Sequence, residues 1–262
     1  MATIRHVLPW MIRMAARLVL SGLALQAASA DAMARVTGDD ESRLAERIGM
    51  VRTIGAHAAI AADETGVAEI DPRVMEVMGQ VPRHLFVPDE LAAFAYADMP
   101  LPVSQEQSIA QPYLVALMTH LARVAPDDIV FETGTGAGYH AAVLSKLARR
   151  VVSVEVVAPL ALAASARLKR HGYDNVEVIA SDGYYGAPRH APFDAIIVKE
   201  AVDHVPPVLL RQLKPGGRMV VPLGPRDGPQ YLTVIEKTAD GGTRSTRILP
   251  VRFTPLQGGE RI

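Results

Sequence analysis

Cysteine is absent from this chain of 262 residues. Its absence excludes disulfide bonds, cysteine nucleophiles and zinc–thiolate centres together. An excess of one charge is also missing, because 27 lysines and arginines balance 28 acidic residues to a formal net charge of −1. The sequence contains no long basic block, so it does not favour binding to nucleic acid or to an acidic membrane surface.

The remaining composition is that of a folded domain without a metal centre. The eight histidines lack the spacing of metal ligands, and we predict no metal site. Hydrophobic residues make up 49% of the chain, enough for a sizeable core in one large domain or one domain with extensions. The 19 prolines and 20 glycines are dispersed, which is typical of loops rather than of disorder.

The first thirty residues differ from the rest. They carry three arginines and no acidic residue, and a mostly apolar run from Leu18 to Ala28 precedes Ala28-Ser29-Ala30. This order predicts a signal peptide over residues 1–30, cleaved after Ala30 or Ala32, because the run is too short and interrupted for a membrane span. We then expect a periplasmic or secreted protein without stable membrane insertion. The alternative is an uncleaved leader or a misassigned start codon, and a cytoplasmic protein.

Residues 31–125 are predicted to form an N-terminal helical region with a substrate loop. Apolar residues recur at helical spacing through residues 39–63. A second helix is expected over 71–78, where Asp71 can cap the N-terminus ahead of Pro72. Other segments are a connector with two prolines at 81–88, a short helix at 91–96, a polar loop at 98–110 and a helix at 112–121.

Residues 126–262 are predicted to form an α/β cofactor domain in one compact unit with the preceding region. Strand-like and helix-like segments alternate from Asp128 onward, which indicates a doubly wound, mostly parallel sheet. Pro215-Gly216-Gly217 is predicted as a turn, and residues 230–237 and 244–251 as an antiparallel pair closing the sheet. The other predicted strands are 129–133, 151–155, 176–180, 194–198 and 218–223, and the helices are about 139–149, 159–171 and 206–213.

A glycine-rich turn follows the first of these strands. Gly134, Gly136 and Gly138 alternate with other residues between the strand and a helix-like run, so the backbone can bend sharply and approach a ligand. The spacing is not the G-x-G-x-x-G of dinucleotide sites. Glu132, two residues before the first glycine, would repel a pyrophosphate but attract a cation. The turn therefore favours S-adenosylmethionine, which carries a sulfonium and an ammonium.

Two later strands also end in acidic residues. Glu155 ends the second strand and is suited to accept both ribose hydroxyls, and Asp182-Gly183 follows the third, where the carboxylate could bind the adenine amino group. A tight turn that binds no ligand is the alternative for the glycine motif alone. Three acidic residues at three successive strand ends favour the cofactor interpretation.

Distinctive segments also lie outside the cofactor half of the chain. Together with the glycine turn, the resemblance extends from about residue 41 to 258. The segments are residues 81–88, 95–102, 107–113, 191–198, 213–218, 249–253 and 255–256. On these segments the chain resembles the protein-L-isoaspartate (D-aspartate) O-methyltransferase family. The resemblance implies a Rossmann-like, seven-stranded methyltransferase sheet with an N-terminal helical addition.

The resemblance also implies an activity. Such an enzyme methylates the free α-carboxylate of an isoaspartyl residue in a damaged protein or peptide, and the ester then collapses to a succinimide that partly reopens as aspartate. A carboxylate is already ionised and nucleophilic near pH 7, so neither a general base nor a metal is needed. Positioning and exclusion of water would supply the catalysis. We expect the protein to act as a monomer.

The chain departs from the family pattern where the acceptor would bind. The usual Thr-Ile-Ser-Gln-Pro is Ser108-Ile109-Ala110-Gln111-Pro112 here. The hydroxyl usually found before Gln-Pro is missing at Ala110, whereas Ser108 keeps one at the threonine position and is a candidate catalytic residue. Ile109 is a candidate cofactor contact.

A second departure follows Val198. The family usually has small residues there, whereas this chain has Lys199-Glu200. Lys199 is a candidate catalytic residue that could pair with a substrate carboxylate. It could equally form a salt bridge to Glu200 or point to solvent.

Three functions remain open at this point. The first is a repair methyltransferase for isoaspartyl proteins. The second is a relative that methylates another carboxylate in a peptide or small molecule, which Ala110 and Lys199-Glu200 favour. The third is a non-catalytic binding protein, which Glu132, Glu155 and Asp182 disfavour.

Overall fold

A computed structural model describes residues 43–103, 108–225 and 227–257 of the chain. The predicted signal peptide and its cleavage site lie outside the described residues. The described residues from Glu46 onward fall in one compact unit. Among the described residues, no helix has both the length and the apolar character that a bilayer crossing requires.

The described chain contains nine strands and seven α-helices. The strands are β1 (Leu101–Pro102), β2 (Ser108–Ile109), β3 (Ile129–Thr133), β4 (Arg150–Glu155), β5 (Val176–Ala180), β6 (Phe193–Ile197), β7 (Leu213–Leu223), β8 (Gln230–Lys237) and β9 (Thr243–Val251). The helices are α1 (Leu44–Ile60), α2 (Ala62–Thr65), α3 (Pro72–Gln80), α4 (Pro112–Ala122), α5 (Tyr139–Ser145), α6 (Ala158–Arg170) and α7 (Pro207–Gln212). Short 3₁₀ helices lie at Arg83–Phe86, Asp89–Phe94 and Gly183–Tyr185.

Seven strands form the main sheet in the order β5-β4-β3-β6-β7-β8-β9. The first five in this order pair in parallel, and β8 and β9 extend the sheet as antiparallel neighbours. This architecture confirms the mostly parallel seven-stranded sheet. The parallel pairing also places the carboxyl ends of β5, β4, β3 and β6 side by side at one edge, where open α/β sheets bind ligands.

Both faces of the central strand β3 are buried. Alternate residues of β3 belong to different clusters: Val130 packs with Met50, Ile54 and Met78 of the N-terminal helices, and Phe131 packs with Phe193 on the opposite face. A strand covered on both faces is apolar throughout. The continuous apolar runs in the sequence are therefore typical of buried strands. They lack the alternation of apolar and polar residues found in half-exposed strands.

Several predicted boundaries are wrong in detail. The helix predicted over 39–63 is split into α1 and α2 within the described residues, and the helix predicted to reach residue 149 ends at Ser145. The helix expected at 91–96 is a 3₁₀ helix over Asp89–Phe94. The predicted N-cap is confirmed, since Oδ1 of Asp71 accepts a 2.8 Å hydrogen bond from the Arg73 amide.

The predicted turn at Pro215-Gly216-Gly217 lies inside a strand. β7 begins at Leu213, opposite Phe193, but the next paired residues are Ala195 and Arg218, so the intervening residues form a bulge. Gly216 has φ +80°, a conformation that glycine adopts without strain. The Pro-Gly-Gly signal therefore marks a real irregularity but not the start of the strand.

The loop predicted over residues 98–110 has paired ends. β1 and β2 form a two-stranded antiparallel sheet with Leu101 opposite Ile109 and Pro102 opposite Ser108. This pairing brings Ser108 and Ile109 to the edge of the main sheet where the glycine turn lies.

Candidate functional site

A cavity of about 850 Å³ opens at the carboxyl ends of the central strands. Many of the residues predicted to act in the site line it, and they are Ser108, Ile109, Gly134, Gly136, Glu155, Gly183 and Lys199. Three predicted cofactor residues are not part of its wall, and they are Glu132, Gly138 and Asp182. The structure thus brings most of the predicted site residues together on one cavity wall, and these three lie outside that wall.

The glycine turn has the backbone conformation that its sequence predicts. Gly134, Gly136 and Gly138 have φ values of +59°, +55° and +94°, a region that residues with a Cβ atom rarely adopt. A Cβ atom on Gly134 would lie 1.9 Å from Oε1 of Glu200, and one on Gly138 would lie 3.2 Å from the Leu168 side chain. Gly134 is therefore required both by the backbone and by its neighbour.

Glu155 is held rigidly at the cavity wall. Its Oε2 accepts a 2.9 Å hydrogen bond from the Gly136 amide, and its Oε1 accepts a 3.1 Å bond from the Val157 amide. The residue is 2% exposed. Each carboxylate oxygen can accept a second hydrogen bond, so Glu155 can bind a pair of ligand hydroxyls without moving.

Asp182 shapes the neighbouring turn. Its Oδ1 accepts a 2.9 Å hydrogen bond from the Tyr184 amide, which caps the 3₁₀ helix Gly183–Tyr185. A Cβ atom on Gly183 would lie 2.8 Å from Cγ2 of Thr133. The glycine thus allows this turn to pack against the end of β3 while it lines the cavity.

Lys199 pairs with an acidic residue that the sequence analysis had not considered as its partner. Its Nζ lies 2.8 Å from Oε2 of Glu132, so neither the expected salt bridge to Glu200 nor an orientation to solvent is observed. The other oxygen of Glu132 accepts a 2.7 Å hydrogen bond from Ser153 Oγ. Glu132 is fully buried. The charge of Glu132 is therefore balanced by Lys199 inside the protein. The prediction that Glu132 attracts a cationic ligand directly loses its basis.

Glu200 also lies beside the glycine turn and, unlike Glu132, lines the cavity. Its Oε2 accepts a short hydrogen bond from the Thr133 hydroxyl, and Thr133 Oγ1 accepts a 3.1 Å bond from the Lys199 amide. Burial raises the pKa of Glu200 to about 7, against the Thr133 hydrogen bond and the Lys199 charge, with repulsion from Glu155 and Glu132 added. From the sequence, Glu200 is a departure from the family pattern, and its place beside the cofactor turn was not predicted.

His140 lines the same cavity as an uncharged imidazole. Burial, followed by the nearby Lys199 charge, lowers its pKa well below the ordinary value. Thr119 Oγ1 donates to the Val115 carbonyl at 2.7 Å and lies 2.9 Å from His140 Nε2. Because the single Thr119 proton is already used, His140 donates from Nε2.

A cluster of His57, Asp98 and Tyr113 borders the acceptor side of the cavity. His57 Nδ1 lies 2.8 Å from Asp98 Oδ2, and the His57 ring stacks on Tyr113 with centroids 3.8 Å apart. Asp98 Oδ1 accepts a 2.8 Å hydrogen bond from the Tyr113 amide at the start of α4. Sequence reasoning missed this cluster, since 41 positions separate His57 from Asp98 and no motif joins them.

The fold and the site together define a Rossmann-like methyltransferase. The family described as protein-L-isoaspartate(D-aspartate) O-methyltransferase (PCMT) matches residues 60–261, and the chain belongs to this family. His57 and nearly all of α1 precede the matched residues.

Individual relatives agree with this assignment. Protein-L-isoaspartate O-methyltransferase 1 of Cupriavidus necator is 54% identical over 223 residues, covering 85% of this chain and 86% of the relative. Protein-L-isoaspartate O-methyltransferase 2 of Syntrophobacter fumaroxidans is 50% identical, covering 84% and 89%. A Plasmodium falciparum structure assigned to the same enzyme, solved with S-adenosyl-L-homocysteine, has a TM-score of 0.62 at 25% identity, covering 71% and 91%. The family predicted from the sequence segments is confirmed.

Proposed function

We propose that this protein transfers a methyl group from S-adenosylmethionine to the carboxylate of an isoaspartyl residue in a peptide or protein. The observation that carries the proposal is the shared cavity. The predicted cofactor residues Gly134, Glu155 and Gly183 line the same space as Ser108 and Ala110 of the predicted acceptor segment. A donor and an acceptor bound there would meet, which is the requirement for direct group transfer.

The chain's residues fit the cofactor along the edge of the sheet. Asp182-Gly183 after β5 suits an adenine, Glu155 at the end of β4 suits ribose hydroxyls, and Gly134 after β3 permits close approach of the methionine portion. Strands β5, β4 and β3 are adjacent, so these positions follow one another in the order of the cofactor's parts. When bound, S-adenosylmethionine would supply a methyl group on a sulfonium: an acceptor carboxylate oxygen bonds to the methyl carbon as the carbon–sulfur bond breaks, which gives a methyl ester and the neutral thioether S-adenosylhomocysteine.

The protein's own contribution is to position the acceptor. The acceptor carboxylate is ionised near pH 7 and needs no base. Ser108 is exposed on β2, where its hydroxyl can donate to the acceptor. Lys199 has three N–H donors, and Glu132 takes one direction, so the ammonium can still orient an acceptor carboxylate at the cavity wall.

A different carboxylate remains a second candidate acceptor. Ala110 lines the cavity without a hydroxyl, and Lys199-Glu200 adds charge where the family usually has small residues. These two features are the reason to keep a relative with an altered acceptor as the alternative to a repair enzyme.

One assay tests both acceptors. The purified protein is incubated with methyl-labelled S-adenosylmethionine and an isoaspartyl peptide, with the same peptide containing aspartate as the matched control. We expect label only in the isoaspartyl peptide. Equal labelling of both peptides, or labelling of small carboxylates alone, would favour the second candidate. Failure to bind S-adenosylhomocysteine by calorimetry would instead indicate the non-catalytic homologue.

We further propose that residues 1–30 direct export, that 31–125 form the helical and acceptor-binding region, and that 126–262 bind the cofactor. The proposed partners are isoaspartyl proteins or peptides, and the proposed state is a monomer. Mass spectrometry of the mature N-terminus tests the leader, and an intact Met1 in the mature protein would exclude cleavage. Light scattering in solution tests the monomer, for which a mass near 28.1 kDa, less any cleaved leader, is expected.

A further inference from the structure

We infer that Glu200 is the residue of this protein that binds the α-ammonium of the cofactor's methionine portion, in place of Glu132. The inference rests on the proposed use of S-adenosylmethionine. It concerns a position at which this chain differs from the residues that its family usually carries, and it assigns the cofactor's cationic end to the β6 side of the cavity.

Glu132 already has a counter-ion inside the protein. This carboxylate is fully buried, accepts from Ser153 and lies 2.8 Å from the ammonium of Lys199. A second cation near Glu132 would have to compete with Lys199, whose removal from a buried carboxylate is costly. Glu132 therefore neutralises Lys199 and does not serve the ligand.

Glu200 lies against the glycine turn, on the cavity wall. Its Oε1 would lie 1.9 Å from a Cβ atom on Gly134, so the carboxylate rests on the first glycine of the turn. The Thr133 hydroxyl holds the other oxygen, Oε2. Within the described residues Oε1 accepts no such hydrogen bond, and Glu200 lines the cavity. An acceptor oxygen is thus presented beside the turn.

The order of the strands places Glu200 at the end of the row of cofactor-binding positions. Residues suited to adenine and ribose follow β5 and β4, and the glycine turn follows β3, so the remaining methionine portion extends toward the next strand, β6. Glu200 follows β6. The amino-acid end of the cofactor carries the ammonium, and Glu200 is the carboxylate at that end of the row.

The charge of Glu200 depends on pH. Burial raises its pKa to about 7, with Lys199 lowering it and with Glu155 and Glu132 raising it. A bound ammonium favours the ionised form, so cofactor affinity should rise as the pH rises through 7. Between pH 6 and pH 8 the ionised fraction changes about tenfold, which bounds the expected change in affinity. The other titratable residues on the cavity wall are His57, Tyr113, Tyr139, His140 and Arg252.

The test compares two ligands that differ in the amino-acid end. S-adenosylhomocysteine has the ammonium, whereas 5′-methylthioadenosine keeps the adenine, ribose and thioether but lacks the amino acid. Calorimetry at pH 8 with Glu200→Gln should show a loss of roughly 10- to 100-fold in affinity for S-adenosylhomocysteine, the value of a hydrogen bond to a charged group. Affinity for 5′-methylthioadenosine should not change, which also shows that the variant is folded.

The matched control is Asp203→Asn. Asp203 lies three residues beyond Glu200, but its side chain is 75% exposed and does not line the cavity. We expect this variant to bind both ligands as the wild type does. The wild type should bind S-adenosylhomocysteine more tightly at pH 8 than at pH 6, and Glu200→Gln should remove most of that difference.

The alternative results are distinct. Unchanged affinity for S-adenosylhomocysteine in Glu200→Gln would overturn the inference, and so would an equal loss for both ligands, which would indicate a structural role. Absence of binding by the wild type would defeat the proposed function itself, and the inference with it.

Discussion

The ammonium of Lys199 lies 2.8 Å from the buried carboxylate of Glu132, and this ion pair joins residues at the ends of two neighbouring parallel strands. Glu132 is in β3 and Lys199 follows β6. The sequence places these residues 67 positions apart, and the family resemblance would leave Glu132 facing small residues. The pair consequently changes which carboxylate of this site is available to a ligand.

Breaking that ion pair should destabilise the protein strongly. Lys199→Met would leave the Glu132 carboxylate buried without its counter-charge, at a cost of about 3–5 kcal/mol in the free energy of unfolding. Denaturant unfolding followed by circular dichroism measures the loss. Addition of Glu132→Gln should recover part of it, since the uncompensated charge is then gone.

Lys214→Met is the matched control for this prediction. Lys214 also contacts a carboxylate, Asp194, but these side chains are 38% and 22% exposed, and more exposed pairs contribute about 1 kcal/mol or less. Equal destabilisation by the two lysine variants would show that burial of the Glu132 pair does not govern its energy.

Substitution of Gly134 should cost more than backbone strain alone. Gly134→Ala places a Cβ atom against Glu200 and must displace its carboxylate from Thr133. Gly216→Ala is the control, because Gly216 also has positive φ but a Cβ atom there meets nothing within 4 Å. Both variants incur strain of about 1–2 kcal/mol, and Gly134→Ala should lose about 1–2 kcal/mol more.

Thermal and denaturant unfolding of the two alanine variants measure this difference. Adding Glu200→Ala to Gly134→Ala should recover the excess, since the colliding carboxylate is removed. If Gly134→Ala remains as stable as Gly216→Ala, the contact between Glu200 and the glycine turn is not a constraint on the fold.

Restoration of the missing hydroxyl tests the acceptor side. Ala110→Ser should raise kcat/KM for an isoaspartyl peptide by roughly 10- to 100-fold if that hydroxyl donates to the acceptor carboxylate. Ala110→Val is the control, since it enlarges the side chain without adding a donor. No gain in Ala110→Ser would mean that the absent hydroxyl is not what limits isoaspartyl activity.

The Asp98 carboxylate should support both stability and peptide binding. Asp98→Ala removes the acceptor for the Tyr113 amide and the partner of His57, so we expect a loss of about 1–2 kcal/mol and a higher KM for the peptide. Asp71→Ala is the control, because Asp71 caps α3 and bonds to Arg73, whereas Asp98 holds His57 and Tyr113 of the cavity wall. Steady-state kinetics at matched stability distinguish the two, and a raised KM in both would argue against a local role for Asp98.

The secondary structure was largely predictable because its causes are local. The run at 129–133 matches β3, since a strand buried on both faces is continuous in apolar residues. Boundaries that depend on neighbours were predicted less well. β7 begins at Leu213 because that residue pairs with Phe193 across a bulge, a contact that the Pro-Gly-Gly sequence conceals.

The sequence by itself determined the class of fold, the family and the cofactor motif, since apolar periodicity, glycine spacing and segment identity are all readable along one chain. Only the tertiary structure decided the electrostatics of the site. It joined Lys199 to Glu132, set Glu200 on Gly134 and brought His57 to Asp98. These pairings depend on which strand ends and helices are adjacent in space, and charges interact according to distance and burial rather than separation along the chain.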